Sequence, residues 1–193
     1  MKKSTKKLAT LAMMLVAGSA MTVNAQLLSE KPRVHFGIRG GVSSSTYSGD
    51  YFKAKVFPTG GLAVDFKVAP IPLYLESGLY YVNKGFKYKY VDKYDDDSQN
   101  NHAIEMPVVV SYHYYFNDKM AIQPFFGGFV SAAFDGPNDE VDYGLRLGTG
   151  FNYGRAYANI GYDFGLKNWG NDNYSSKSGL FFFNIGFNFV GSK

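Results

Sequence analysis

Hydrophobic positions recur at every second residue along most of this chain, most cleanly in the closing stretch 179–190. There Phe181, Phe183, Ile185, Phe187 and Phe189 share one face, and Leu180, Phe182, Asn184, Gly186, Asn188 and Val190 the other. A period of two marks a β-strand, because successive side chains point to opposite sides of a sheet. Seven further segments alternate in the same way: 34–43, 60–68, 73–83, 102–116, 121–134, 141–153 and 156–167. The segment 141–153 is the most regular of these. Its odd positions read Val, Tyr, Leu, Leu, Thr, Phe, Tyr, and its even positions Asp, Gly, Arg, Gly, Gly, Asn.

The connections alternate too. Those after the second, fourth and sixth segments are short (Ala69-Pro70-Ile71-Pro72, Asn117-Asp118-Lys119 and Gly154-Arg155). Those after the first, third and seventh are long, and the one at 135–140 is intermediate. An even strand count with short turns at one end and long loops at the other is the pattern of an outer-membrane barrel. A soluble barrel would turn its apolar face inward, so the orientation has to be decided. No Asp, Glu, Lys or Arg stands on the apolar phase of any segment. Eleven glycines, among them Gly37, Gly61, Gly148 and Gly161, stand on the polar phase, against three on the apolar one. Glycine weakens a strand and gives a solvated face nothing, whereas an eight-stranded bore is barely wide enough for its own side chains. The glycine face is therefore the inside. The fold expected is an all-β, eight-stranded antiparallel up-and-down transmembrane β-barrel with a polar, side-chain-filled lumen.

The two-residue turn at Gly154-Arg155 sets Tyr153 opposite Ala156. Counting back from it places Arg146 opposite Asp163, Asp142 opposite Lys167 and Gly148 opposite Gly161. The turn at 69–72 brings Asp65 towards Glu76, a repulsive pair unless Arg39 or Lys67 lies between them. Buried charges need partners. The expectation is one or two structural ion networks across the bore, built from Arg39, Asp65, Glu76, Glu105, Arg146 and Asp163. Intramembrane charges also mark proton or solute paths, so a narrow pore for passive small-solute transport is the alternative.

Ahead of the strands, Lys2, Lys3, Lys6 and Lys7 precede an apolar run from Leu8 to Met21, and Val23-Asn24-Ala25 supplies small residues for cleavage. This reads as a cleaved signal peptide over 1–25, leaving 26–193 as one barrel domain. The apolar run is short for a membrane-spanning helix. Removing four lysines and no acids from 20 basic and 16 acidic residues leaves 16 of each, so the basic balance implies no nucleic-acid partner. The absence of cysteine rules out both a disulfide framework and a lipid-anchored lipoprotein. All 34 aromatic residues fall after residue 25. Tyr80, Tyr81, Tyr114, Tyr115 and Tyr153 near strand ends suit interfacial girdles, and Trp169 sits in the last long loop.

Candidate chemistry is sparse, and no cofactor or metal motif stands out. Ser111 and His113 share the inward face of the fourth segment, with Glu105 further along. They are raw material for acyl transfer, as in a lipid-modifying enzyme, but no GxSxG elbow accompanies them. Asp95-Asp96-Asp97 lacks the spacing of a calcium loop. Lys87-Tyr88-Lys89-Tyr90 reads as an extension of the third strand above the membrane, whose edge a partner strand could join.

The phrases PLYLESGLYYVNKGF (72–86), IEMPVVVSYHYYF (104–116), IQPFFGGFVSAAF (122–134) and YGLRLGTGFNYGRAYANIGYDFGL (143–166) resemble the PorT-like outer-membrane β-barrel family of Gram-negative bacteria. The resemblance implies an outer-membrane location, external loops and, through PorT itself, a link to type IX secretion. It carries no catalytic residues. The role expected is non-enzymatic and loop-borne: adhesion, envelope integrity or docking to an envelope or secretion component. The partners expected are the outer-membrane lipid bilayer, the barrel-assembly machinery during insertion, and an envelope or surface protein met through loops 84–101 and 168–178. The chain is expected to be a monomer.

Overall fold

A computed structural model describes residues 34–48, 52–88, 98–135, 141–168 and 176–190. The leader segment 1–25, the Asp95–Asp97 run and Trp169 lie outside the described residues. Eight long strands form the wall: β1 (Val34–Tyr47), β2 (Lys55–Lys67), β3 (Leu73–Asn83), β4 (His102–Tyr112), β5 (Met120–Asp135), β6 (Val141–Tyr153), β7 (Ala156–Gly165) and β8 (Ser178–Val190). Each pairs antiparallel with its neighbours in sequence, and β8 returns to pair with β1, so the sheet closes. Closure leaves no unpaired strand edge in the wall, the condition for a sheet to cross hydrocarbon.

Alternation decides which way each residue faces. Ile38, Leu62, Phe126, Leu147, Phe164 and Phe183 are all exposed on the outer surface. Between them, Arg39, Asp65, Glu105, Arg146 and Asp163 point inward and are at most 7 % exposed. Arg146 lies opposite Asp163, and Gly148 opposite Gly161. The turn between β6 and β7 depends on Gly154, whose φ of 58° is left-handed backbone that disfavours other residues. Its N–H donates to the carbonyl of Lys119 in the next short turn (2.7 Å), and the N–H of Asn188 donates to the carbonyl of Arg155 (2.8 Å). The short turns thus lock to one another and to β8.

Three features depart from the alternation pattern. β1 runs to Tyr47 and β2 begins at Lys55, so both rise further towards the long loops than expected. Strand four breaks at His113 before a two-residue continuation at Tyr114–Tyr115. The segment after β3 does not prolong its ladder. Phe86–Tyr88 instead forms a small separate sheet, between Phe52–Lys53 on one side and Ser98–Gln99 on the other. The simple extension of the third strand is not formed, and the edge that a partner strand could join is paired with the chain's own first long loop.

The lumen is filled in a sequence of layers from one end to the other. Lys84, Asp142 and Ser178 sit at the long-loop end, with Glu105, Arg146 and Asp163 below them. An aromatic layer follows, in which the rings of Phe125 and Phe182 lie nearly parallel, 6.4 Å apart, and pack with Tyr80, Val109 and Ala63. The rings occupy the space left by glycine: a Cβ on Gly148 would meet Phe125, and one on Gly161 would meet Phe182. Tyr80 belongs to this layer rather than to an interfacial girdle, because it shares the inward phase of Glu76 and Gly78. The short-turn end holds His35, Asp65, Tyr74, Glu76, Ser111, His113 and Gln123.

Candidate functional site

Two polar clusters in the lumen carry most of the inward charge that the alternation singled out. In the first, β6 holds Arg146 directly opposite Asp163 of β7. The guanidinium donates to both Asp163 carboxylate oxygens, Nε to Oδ1 at 2.6 Å and Nη2 to Oδ2 at 2.5 Å. Nη2 also donates to Glu105 from β4. Lys84, which the sequence pattern puts in a loop, packs inside and bonds Glu105 (3.0 Å) and Asp142 (3.1 Å). Asp142 takes a further hydrogen bond from Ser178 (2.7 Å). The regular β6–β7 ladder ends with Gly144 opposite Gly165, so the expected cross-strand position of Lys167 opposite Asp142 lies beyond it. The ammonium of Lys84 rests 4.2 Å from the Phe129 ring centre, and the Arg146 guanidinium 4.5 Å from that of Phe182. Ring faces attract desolvated cations, so the aromatic layer floors the ionic one.

The second cluster is a row across three adjacent strands. His35 of β1 lies opposite Asp65 of β2, which lies opposite Glu76 of β3. His35 Nδ1 is 3.7 Å from Asp65, and His113 Nε2 is 3.5 Å from Glu76. His113 is held on every side. Its N–H donates to the Pro72 carbonyl (2.8 Å), and its ring stacks on Tyr74 with centres 3.8 Å apart. Its Nε2 meets Ser111 Oγ at 3.0 Å and its Nδ1 meets the Gln123 amide at 3.3 Å. Tyr74 in turn shares a hydrogen bond with Tyr115 (3.2 Å).

The structure therefore brings Glu105, Arg146 and Asp163 together, and separately Asp65 with Glu76. Arg39 lines the same cavity as Asp65 and Glu76, but its Nη2 donates to Asn188 (2.7 Å) and its guanidinium lies over Tyr157 (3.9 Å). It faces β7 and β8 rather than filling the space between the two acids. Lys84 and Gln123 were missed, though both leave a trace in the sequence. Tyr80, Val82 and Lys84 continue the inward phase of β3 by two-residue steps. Carrying the β4–β5 register down to the Asn117–Lys119 turn sets His113 opposite Gln123.

Ser111 and His113 are within hydrogen-bond reach, as an acyl-transfer pair requires. The rest of a triad is not arranged: the acid, Glu76, lies on the same ring nitrogen as Ser111, while the nitrogen an orienting acid would use faces Gln123.

Comparison with known families decides the kinship. Residues 24–137 match the outer membrane protein beta-barrel domain. The chain belongs to this family. Among solved structures it is similar to the outer membrane protein OprG of Pseudomonas aeruginosa (14 % identity, 84 % of this chain and 99 % of that one, TM-score 0.47). It is also similar to Ail, the attachment invasion locus protein of Yersinia pestis, crystallised with the heparin analogue sucrose octasulfate (13 %, 81 % and 99 %, 0.46). A third likeness is to Neisserial surface protein A (10 %, 79 % and 96 %, 0.42). No curated protein matches the chain. The protein is an outer-membrane β-barrel of eight strands.

Proposed function

We propose that this barrel works through its long-loop end, as a surface for adhesion or for docking an envelope or secretion component, and neither conducts solutes nor catalyses a reaction. The observation that carries this reading is the filling of the bore. The cavity bounded by Arg39, Asp65, Glu76, Tyr80 and Arg146 measures about 30 Å³, which is room for a water or two and no larger solute. Above it the ion pairs of Glu105, Arg146, Asp163, Lys84 and Asp142 span the bore as a structural network. A partner would meet the barrel through loops 84–101 and 168–178. The leader 1–25 directs export and is cleaved after Ala25, and insertion uses the barrel-assembly machinery. The phrases around LESGLYYVNKG resemble the PorT-like family, and that resemblance makes an envelope or secretion component the docking partner to seek first.

Planar-bilayer recording of the purified protein tests the first half: no discrete conductance steps are expected, and regular single-channel steps would overturn the reading. Photo-crosslinking from loop positions in intact cells tests the second half. A discrete adduct, lost when both loops are shortened in a barrel that still folds, is expected. The enzymatic alternative predicts an altered lipid profile on expression that His113→Ala abolishes; an unchanged profile is expected here.

A further inference from the structure

The structure assigns a divalent transition-metal site to the short-turn end of the lumen, with Asp65, Glu76 and His113 as its protein ligands and Zn²⁺ as the ion type that fits. Three observations carry this. The first is geometric: one ligand atom from each residue lies within 4.8 Å of the others. A tetrahedral Zn²⁺ holds oxygen and nitrogen ligands at about 2.0–2.2 Å, so small rotations of two carboxylates close the set. One imidazole with two carboxylates suits a borderline ion better than Ca²⁺ or Mg²⁺, which prefer all-oxygen shells.

The second observation is electrostatic. Asp65 and Glu76 are direct cross-strand neighbours inside the bore. Of the two guanidiniums lining their cavity, Arg39 is engaged by Asn188 and Tyr157, and Arg146 by Glu105 and Asp163. Like charges opposed across a ladder destabilise it, and a bound dication neutralises both.

The third is an accounting of polar atoms. Glu76 Oε1 makes no hydrogen bond, and neither does Gln123 Oε1, on a side chain that is 0 % exposed. The two ends of an amide exchange places without changing its shape. With Gln123 turned over, its Oε1 accepts the N–H of His113 Nδ1, and the lone pair of Nε2 then faces Glu76 Oε1 across 3.5 Å. The single O–H of Ser111, whose Oγ is 3.0 Å from Nε2, can satisfy only one of these two acceptors, whereas a cation between them satisfies both. In this arrangement Gln123 is a positioning residue that fixes the imidazole tautomer, the usual task of a second partner behind a metal-bound histidine. The Tyr74 stack holds the ring, and the Pro72 carbonyl holds the backbone N–H of His113.

The test uses untagged protein extracted from outer membranes in detergent and stripped with a chelator. Calorimetric titration with Zn²⁺ should show one equivalent bound, with Ca²⁺ at the same concentration failing to compete. Asp65→Asn, Glu76→Gln and His113→Gln should each weaken binding by more than about a hundredfold, and Gln123→Leu by about 10–100-fold. His102→Gln, at the opposite end of the bore, should bind as the parent does. Heat-modifiable gel mobility shows which variants fold. Should the ligand variants fail to fold, the X-ray absorption spectrum of the parent loaded with one equivalent of Zn²⁺ decides. One histidine nitrogen in a shell otherwise of oxygen is expected, and a shell without histidine would overturn the site. It is overturned equally if the folded parent takes up no stoichiometric Zn²⁺, or if folded His113→Gln binds undiminished.

Discussion

Arg146 stands between Glu105 and Asp163, with both carboxylates nearly fully buried. Removing its charge leaves Asp163 without its cation and Glu105 with Lys84 alone in a bore that water hardly reaches, and breaking a buried pair this way costs about 3–5 kcal/mol. Arg146→Met should lower the free energy of unfolding in lipid vesicles, measured by urea titration, by that amount. The triple change Arg146→Met, Glu105→Gln, Asp163→Asn should recover a large part of it, because the loss comes from the buried carboxylates that lose their guanidinium. A triple variant no better than the single one would place the cost in lost packing against Phe182. Glycine offers a second residue-scale contrast. A side chain at Gly148 enters the Phe125 ring, whereas one at Gly40 points outward, with the carbonyl of Thr59 no nearer than 3.9 Å. Gly148→Val should destabilise the barrel by about 1–3 kcal/mol. Gly40→Ala should be neutral or mildly stabilising, by up to about 1 kcal/mol, in the same titration.

A strand here is a two-sided element, and that is why so much of the fold was legible beforehand. Strands β3 and β6 have the bounds that alternation gives them, and Arg146 meets Asp163 where a two-residue turn requires. The unreadable parts are those where the two-sided rule lapses. Ser44, Ser45, Thr46 and Tyr47 read as loop because nothing apolar alternates there, yet β1 continues through them. Above the hydrocarbon a strand no longer needs a greasy outer face. Lys84 read as loop because a lysine after Asn83 looks solvated; only the carboxylates of Glu105 and Asp142, from other strands, bring it inside. The site at His113 is half visible, since its own strand shows Ser111, while Glu76, Asp65 and Gln123 reach it from β3, β2 and β5. The outer phase carries its own prediction. Leu147 is 45 % exposed midway along β6 and faces lipid. Leu147→Arg should cost about 2–4 kcal/mol in vesicles, and the same change at Tyr153, next to the turn, about 0–1 kcal/mol. Equal costs at the two positions would mean that β6 does not cross the bilayer where its alternation places it.

Closure is the property of the whole molecule on which the other two scales depend, and it rests on a single ladder between the first and last strands. The pairing of β1 with β8 runs from Phe36 opposite Val190 to Tyr47 opposite Ser178, with one irregularity between Phe36 and Gly37. Without that ladder, β1 and β8 would each present a bare edge to lipid, at several kcal/mol for every backbone group left unpaired. The inward Arg39 would also lose Asn188, its partner on β8. Because the chain has no cysteine, the ladder can be tested without background. Val42 and Phe183 are paired in this register and both face outward, so Val42→Cys with Phe183→Cys should oxidise to a disulfide in the folded protein. The cross-link should keep the barrel at its compact gel mobility in heated, non-reducing samples, and reductant should return it to the unfolded position. Shifting one cysteine a single residue, to Phe182, turns it into the lumen, and that pair should stay reduced. Efficient cross-linking of the shifted pair, or none of the matched one, would mean that the sheet closes in another register. The positions of Arg39, Asp65 and Glu76 around the lumen cavity would then have to be redrawn.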